Sequence, residues 1–240
     1  DSGFREVVLT GVHLGSYGRD LASSVTLVAL LRALDGHRSD VTFRISSLEP
    51  MDCPPELVDL VASSGRFAPH FHLPLQHASD TVLRRMRRPY SLDDYSRVVD
   101  RIRSLLPHAA IGSDLIAGFP GEREDDAHRT FDYVSTSPLT YLHVFPYSPR
   151  AATEASEFSG RVAGPLVRER ARALRDAGAS LSRRFYESQI GSVRSGLTFE
   201  GSAVVLTDNY MKVAVPPGRA GNQRVDVRIT GAEPLTGVFE

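Results

Sequence analysis

Short apolar segments alternate with amphipathic helical patterns over the first 150 residues, and this alternation limits the possible folds most strongly. Five segments are predicted to be buried strands because they are short and apolar for much of their length. These are Glu6–Thr10, Thr42–Ser46, His70–Leu75, Ala109–Ile116 and Thr140–Pro146. Strand and helix in regular succession predict a parallel β/α fold, either an open sheet or a barrel.

The helices between these strands have recognisable ends. Gly36 is placed to end the first helix, after a run of leucines that share one face. Asp52 is expected to cap a helix entered through Pro54-Pro55. Ser91–Asp94 is typical of a capping box.

The chain changes character after residue 150. Ala151–Gly164 is small and polar, as expected of a linker, and the long helix predicted after it ends at Gly191. Its apolar positions recur at steps of four and three, which predicts a packing seam. They are Val167, Ala171, Leu174, Gly178, Leu181 and Phe185.

The last fifty residues follow a period of two, with apolar and polar residues alternating through 210–215 and 224–229. This pattern predicts a small all-β module, most simply a closed barrel. We therefore divide the chain into a β/α domain at 1–150, a linker and long helix at 151–190, and a β-domain at 191–240.

Composition narrows the class of protein. The net charge is −1, so the chain is not basic throughout. Its single cysteine, Cys53, excludes a disulfide framework and a cysteine-only metal site built from this chain. Apolar runs are too short to cross a bilayer. A cytoplasmic location is expected, and the absence of a starting Met predicts a piece of a larger protein.

Polar and glycine-bearing segments follow all five predicted strands. Parallel β/α folds carry their active sites at these carboxyl ends, so together the segments indicate a catalytic rim. Each has a structural alternative: a tight turn around His13, a helix cap at Ser46 to Glu49, and a solvated helix face for the arginines after residue 83. For His72 a structural role is favoured over a ligand role.

The order of these segments resembles the methylthiotransferase family of radical S-adenosylmethionine enzymes. The resemblance rests on Arg44–Pro50, His72–Gln76, Arg84–Ser91, Ser113–Glu122 and His143–Ser148. It implies a partial (β/α) radical-SAM barrel lacking its first strand, followed by a small all-β barrel similar to the RNA-binding TRAM domain.

Within the family, Ser46–Pro50 and His143–Ser148 are most similar to the branch that acts on threonylcarbamoyladenosine in tRNA. The resemblance implies addition of a methylthio group to C2 of that adenosine, beside the anticodon. Alternatives are the isopentenyl-adenosine tRNA branch, the ribosomal-protein branch, and a fragment that only binds RNA. A barrel lyase or aldolase is disfavoured because Lys212, the only lysine, lies in the β-module.

The resemblance also implies cofactors and partners. The cofactors are S-adenosylmethionine and two [4Fe-4S] clusters, whose CxxxCxxC and N-terminal ligands this chain does not contain, so it is expected to be inactive alone. The partners are S-adenosylmethionine and the anticodon stem-loop of tRNA, bound by a monomer with no membrane association.

Two sets of binding residues follow from the resemblance. The set expected to surround S-adenosylmethionine is Gly11, His13, Ser46, Glu49, Gln76, Asp114, Phe145, Pro146 and Tyr147. The set expected to contact RNA is Arg84, Arg85, Arg87, Arg88, Tyr210 and Lys212. Arginines suit phosphates, and an aromatic ring beside a cation suits a stacked base.

Overall fold

The fold was analysed in a computed structural model, which describes residues 3–21, 25–151, 153–201 and 203–240. Asp1, Ser2 and Ala152, which belong to the predicted start and linker, lie outside these ranges. The first region contains the strands β1 (Glu6–Leu9), β2 (Thr42–Ile45), β3 (His70–His72), β4 (Ala110–Ala117) and β5 (Tyr141–Pro146). Its helices are α1 (Leu27–Asp35), α2 (Pro55–Ser63), α3 (Asp80–Arg85), α4 (Leu92–Leu105) and α5 (Glu124–Thr136).

The five strands are parallel and follow one another in space as they do in sequence. β1 pairs with β2, and β4 lies between β3 and β5. Parallel bridges from Phe43 to Phe67 and from Ser47 to His72 place β2 beside β3. The predicted parallel β/α arrangement is confirmed, although β3 is shorter than expected.

The helices cover one face of these strands because every second strand residue is apolar. Phe43, Phe71, Ile111 and Leu115 are buried in a core shared with Tyr95 of α4 and other helix residues. Side chains of a strand alternate between its faces, so the intervening residues point away from the helices. Several of those intervening residues are polar, among them Arg44, His72 and Asp114.

Two of the predicted helix ends are confirmed and one is wrong. Gly36 follows the last residue of α1, and Ser91 and Asp94 form the capping box of α4. Asp52 does not cap α2, whose N-cap is Pro54. The Asp52 carboxylate is instead buried in a short 3-10 turn, where it pairs with side chains from the loop after β1.

The long helix α6 (Gly164–Gln189) packs on β5 and α5 through the predicted seam. The six seam residues are all buried. Gly178 carries no side chain because Leu142 of β5 lies in the way: a Cβ there would be 3.2 Å from the Leu142 Cβ.

The last region is a closed barrel of β6 (Val193–Thr198), β7 (Val204–Thr207), β8 (Lys212–Ala214), β9 (Arg224–Ala232) and β10 (Leu235–Phe239). The predicted barrel is therefore confirmed. Its interior is formed by the period-two residues, including Val213, Val227 and Ile229.

The small barrel docks on the amino-terminal ends of the parallel strands. Arg44 of β2 donates hydrogen bonds to the Thr207 and Asp208 carbonyls at 3.2 and 2.9 Å. Asn209 donates to the carbonyl of His108, just before β4. The carboxyl ends of the strands thus lie at the opposite edge of the sheet.

Candidate functional site

The strand surface opposite the helices carries a continuous polar cluster. We name it the polar strand face, and it consists of Arg44, Ser46, His70, His72, Asp114, Tyr141 and His143. Strand register brings its members together: β3 pairs His72 with Gly112, and β5 pairs His143 with Asp114. Positions widely separated in sequence thereby meet on one rigid surface.

Asp114 is the centre of this cluster. Its Oδ1 lies 3.0 Å from Nε2 of His72 and 3.1 Å from Nδ1 of His143. Burial, the largest single effect, would raise the pKa of Asp114, but the hydrogen bonds and charges of His72 and His143 outweigh it. The net result is a pKa below the ordinary value, so the carboxylate is ionised at neutral pH.

A hydrogen-bonded chain extends from Asp114 to the amino-terminal ends of the strands. The Tyr141 hydroxyl lies 3.0 Å from Nδ1 of His72 and 2.8 Å from Nε2 of His70. Burial lowers the pKa of His70 well below its usual value, with smaller contributions from Arg44 and His72. His70 is therefore neutral.

Gly112 makes room for this chain. A Cβ at Gly112 would lie only 1.9 Å from the Cζ of Tyr141, so the tyrosine ring covers the bare backbone of β4. A side chain there would displace the ring from its place between the two histidines.

The expected S-adenosylmethionine set lies at or near the carboxyl ends of the strands. Ser46 and Asp114 belong to the polar strand face, and Phe145, half exposed, follows His143 along β5. Gly11 and His13 lie in the loop after β1. The His13 ring contacts Asp52, which follows β2, at 3.1 Å, and this contact links the two loops. A Cβ at Gly15 would collide with Asp52, which explains the glycine in this loop.

Gln76 has the backbone expected of a specialised position. Its φ is +69°, a left-handed conformation that non-glycine residues seldom adopt. Its backbone joins β4, since its N–H donates to the carbonyl of Asp114 and its carbonyl accepts from Ile116. Gln76 is largely buried, and within the described part of the chain its side-chain amide makes no hydrogen bond.

The remaining members of that set make contacts within the chain. Both Glu49 oxygens lie 2.9 Å from Nη1 of Arg88. Tyr147 donates from its hydroxyl to the carbonyl of Ala155, and Pro146 is exposed beside it.

The four clustered arginines differ in their surroundings. Arg88 is paired with Glu49, and Arg85 donates to the carbonyls of Pro120 and Ser159 and stacks on Phe158. Arg87 pairs with Glu154 at the surface. Arg84 is exposed, and its only hydrogen bond within the described residues is a 3.4 Å contact with Thr81.

Tyr210 and Lys212 are also placed differently from one another. Lys212 is exposed at the start of β8, whereas Tyr210 lies in the turn before it with a φ of +67°. The Tyr210 ring stacks on His70 with centroids 4.1 Å apart, and the guanidinium of Arg44 lies 5.4 Å from its centroid. Tyr210 and Lys212 therefore do not project together from one strand, because the turn directs the Tyr210 ring to the docking contact.

The sequence expectations left His72 without a ligand role and gave His143 no role. Both lie within segments that carried the family resemblance. The available signal was their position: each belongs to a predicted strand whose other residues are apolar, and a polar residue inside such a strand points to the uncovered face.

Comparison with known proteins identifies the family. The model of the Radical SAM superfamily matches residues 1–134, more than half of the chain. The chain belongs to the radical SAM superfamily. Such a protein uses S-adenosylmethionine and a [4Fe–4S] cluster. The residues present do not fit that cluster, since the one cysteine, Cys53, is buried and burial raises the pKa of its thiol to about 12.

Curated relatives show which members of the superfamily this chain is similar to. The threonylcarbamoyladenosine tRNA methylthiotransferase MtaB of Thermotoga maritima is 38% identical over 195 residues, covering 81% of this chain and 44% of the relative. MtaB of Aquifex aeolicus is 36% identical, covering 88% and 51%. The tRNA-2-methylthio-N(6)-dimethylallyladenosine synthase of Pelotomaculum thermopropionicum is 32% identical, covering 99% and 55%.

This radical SAM chain is thus similar to the tRNA methylthiotransferases, and it spans about half the length of the curated relatives it matches. None of the helices in the described ranges is both long and apolar enough to cross a membrane.

Proposed function

We propose that this chain is the part of a cytoplasmic tRNA methylthiotransferase that holds S-adenosylmethionine and the target base, and that the target is N6-threonylcarbamoyladenosine beside the anticodon. The observation that carries the proposal is the polar strand face, with the Gln76 amide beside it unpaired among the described residues, in a chain for which four curated relatives bear that activity in their names.

The polar strand face suits this task because its side chains are fixed by strand register and by one another. Ser46, Gln76 and the loop of Gly11 and His13 would bind polar groups of the cofactor, and Phe145 would provide an apolar surface for its adenine. Bound S-adenosylmethionine would supply the methyl group. The protein's contribution is positioning, which alone can account for several kcal/mol of a reaction barrier.

RNA binding is proposed for the exposed cations rather than for every predicted one. Arg84 and Arg87 have exposed side chains beside the rim, and Lys212 is exposed on the small barrel. Arg85 and Arg88 instead fix the rim through contacts within the chain. The small barrel, proposed to be TRAM-like, would contribute a second RNA contact.

The test is analysis of modified nucleosides in tRNA. The complete gene product that contains this chain would be expressed in two bacterial hosts, one lacking methylthiolation of threonylcarbamoyladenosine and one lacking that of dimethylallyladenosine. We expect the methylthio group to return only in the first host, and to be lost in the variant Q76A. The variant H128A, at an exposed position of α5, is the matched control that should keep activity.

The second candidate is the dimethylallyladenosine activity, since the synthase of that name from Pelotomaculum thermopropionicum is also similar to this chain. Methylthiolation restored only in the second host would establish it. Restoration in neither host, with the protein present and folded, would contradict both functions and favour RNA binding alone or a ribosomal-protein target.

A further inference from the structure

Three ligand-type side chains of the polar strand face converge on one point. One atom each from His72, Asp114 and His143 lies within 4.8 Å of the other two. The two imidazole nitrogens are 3.0 and 3.1 Å from Oδ1 of Asp114. The residues lie on three adjacent strands, so backbone pairing holds their spacing.

This spacing matches what one small cation requires. Nitrogen and oxygen ligands bind Zn²⁺ at about 2.0–2.2 Å, which places tetrahedral ligand atoms about 3.3 Å apart. The two nitrogen–oxygen separations are within a few tenths of an ångström of that value, and the two histidine nitrogens lie within 4.8 Å of each other.

The surroundings of His72 would suit a histidine that binds a metal ion. Such histidines usually have a hydrogen-bond partner on the second ring nitrogen, and here Tyr141 provides it at 3.0 Å. The Tyr141 hydroxyl can accept from Nδ1–H of His72 while it donates to Nε2 of His70. With the hydrogen bonds donated in that order, the Nε2 lone pair of His72 faces Asp114.

The hydrogen bonds can also be donated in the opposite order, in which Nε2–H of His72 donates to Asp114, and this arrangement suits the metal-free protein. The two arrangements differ only in which nitrogen and oxygen atoms of His70, Tyr141 and His72 carry the protons. A metal ion can therefore replace the hydrogen bond without net loss of a proton from His72.

Charge and access also favour a cation. The close polar partners of the Asp114 carboxylate among the described residues are the two imidazoles rather than an arginine or lysine. The His143 side chain is 56% exposed while that of His72 is 11% exposed, so the cluster opens to solvent on the β5 side.

We propose that His72, Asp114 and His143 form a binding site for one divalent transition-metal ion of the zinc type. Two histidines and a carboxylate supply three ligands and leave open positions toward the exposed side. An oxygen ligand of a bound substrate would fit those positions. Tyr141 is a positioning residue that orients His72, and the second oxygen of Asp114 remains available to the cofactor.

The test is direct metal binding by the 240-residue chain without an affinity tag. Zn²⁺ would be titrated calorimetrically, and Co²⁺ would be followed by its visible d–d absorption. We expect one ion per chain, and at least ~10-fold weaker binding in H143A, H72A and D114N. Y141F should weaken binding by about 10-fold through loss of the Nδ1 partner.

H128A is the matched control, because His128 and Glu124 form an exposed histidine–carboxylate pair 3.3 Å apart on α5. It should bind as the parent does. H143A is the variant least able to disturb folding, since its side chain is largely exposed. Circular dichroism would establish that each variant is folded.

The proposal is overturned if the parent binds no more zinc than H143A, or if H128A weakens binding as much as H143A does. Either result would leave the three residues as a hydrogen-bonded cluster only. Neither result depends on the methylthiolation of tRNA, so the proposed function is tested separately.

Discussion

Replacing Tyr210 by alanine should destabilise the chain, because its ring joins the small barrel to the parallel strands. The ring stacks on His70 with centroids 4.1 Å apart and lies near Arg44. Tyr210 is 40% exposed, so about 120 of roughly 200 Å² is buried. Losing about 100 Å² at about 25 cal/mol per Å² costs about 2.5 kcal/mol.

The stack itself adds about 0.5–1.5 kcal/mol beyond area. Because part of the ring remains in water, we expect Y210A to lose about 2–4 kcal/mol of unfolding free energy. Urea denaturation followed by far-UV circular dichroism would measure it, since the chain has no tryptophan. Y210F keeps the ring and should stay within about 0.5 kcal/mol, as should K212A at an exposed position.

A change within about 0.5 kcal/mol for Y210A would refute this reasoning. If such a variant also bound tRNA more weakly, Tyr210 would be the RNA-stacking residue that the sequence suggested. A large loss of stability would instead assign the ring to docking.

Two further predictions concern charge. Burial would raise the pKa of the Asp126 carboxyl. The hydrogen bonds that this carboxylate accepts from Ser79 and from the backbone of Arg123 outweigh burial and lower the pKa below its ordinary value. A lowered folded pKa adds stability above the unfolded value near 3.9, and this is lost as pH falls. D126N should therefore be less stable by about 1–3 kcal/mol at pH 7, with a smaller difference below about pH 4, measured by urea denaturation; a constant difference would contradict it. For tRNA, R84A/R87A should reduce the salt slope of log K by about one to two units, and R172A/R175A, on exposed positions of α6, should not; equal effects would indicate net charge alone.

The sequence predicted most of the fold because the fold depends on local periodicity. The apolar strands, the seam of α6 and the alternation in β9 each follow from which residues must be buried. The capping box at Ser91 is equally local. Asp52 was misjudged because its partners, His13 and Arg19, come from a distant loop.

The candidate site was less predictable because it depends on strand register. His72 and Asp114 are 42 residues apart, and His143 is 29 residues further on. Nothing local indicates that these residues share a face and a level of the sheet. The ion pairs of the arginines were not predicted for the same reason. Arg88 pairs with Glu49 and Arg87 with Glu154, and both glutamates lie far from the arginines in sequence.

The position of the small barrel limits how an RNA can use both predicted contact surfaces. The Thr207–Tyr210 turn lies at the amino-terminal ends of the parallel strands, whereas α3 and its arginines follow the carboxyl end of β3. β4 has eight residues, which at about 3.3 Å per residue span roughly 26 Å. An RNA that contacts Arg84 and the docking turn together must therefore extend along the sheet for about that length. Because the Tyr210 ring stacks on His70 at the amino-terminal ends of the strands, the rim with Arg84 and Arg87 is the surface that we propose brings a base to Asp114 and Gln76.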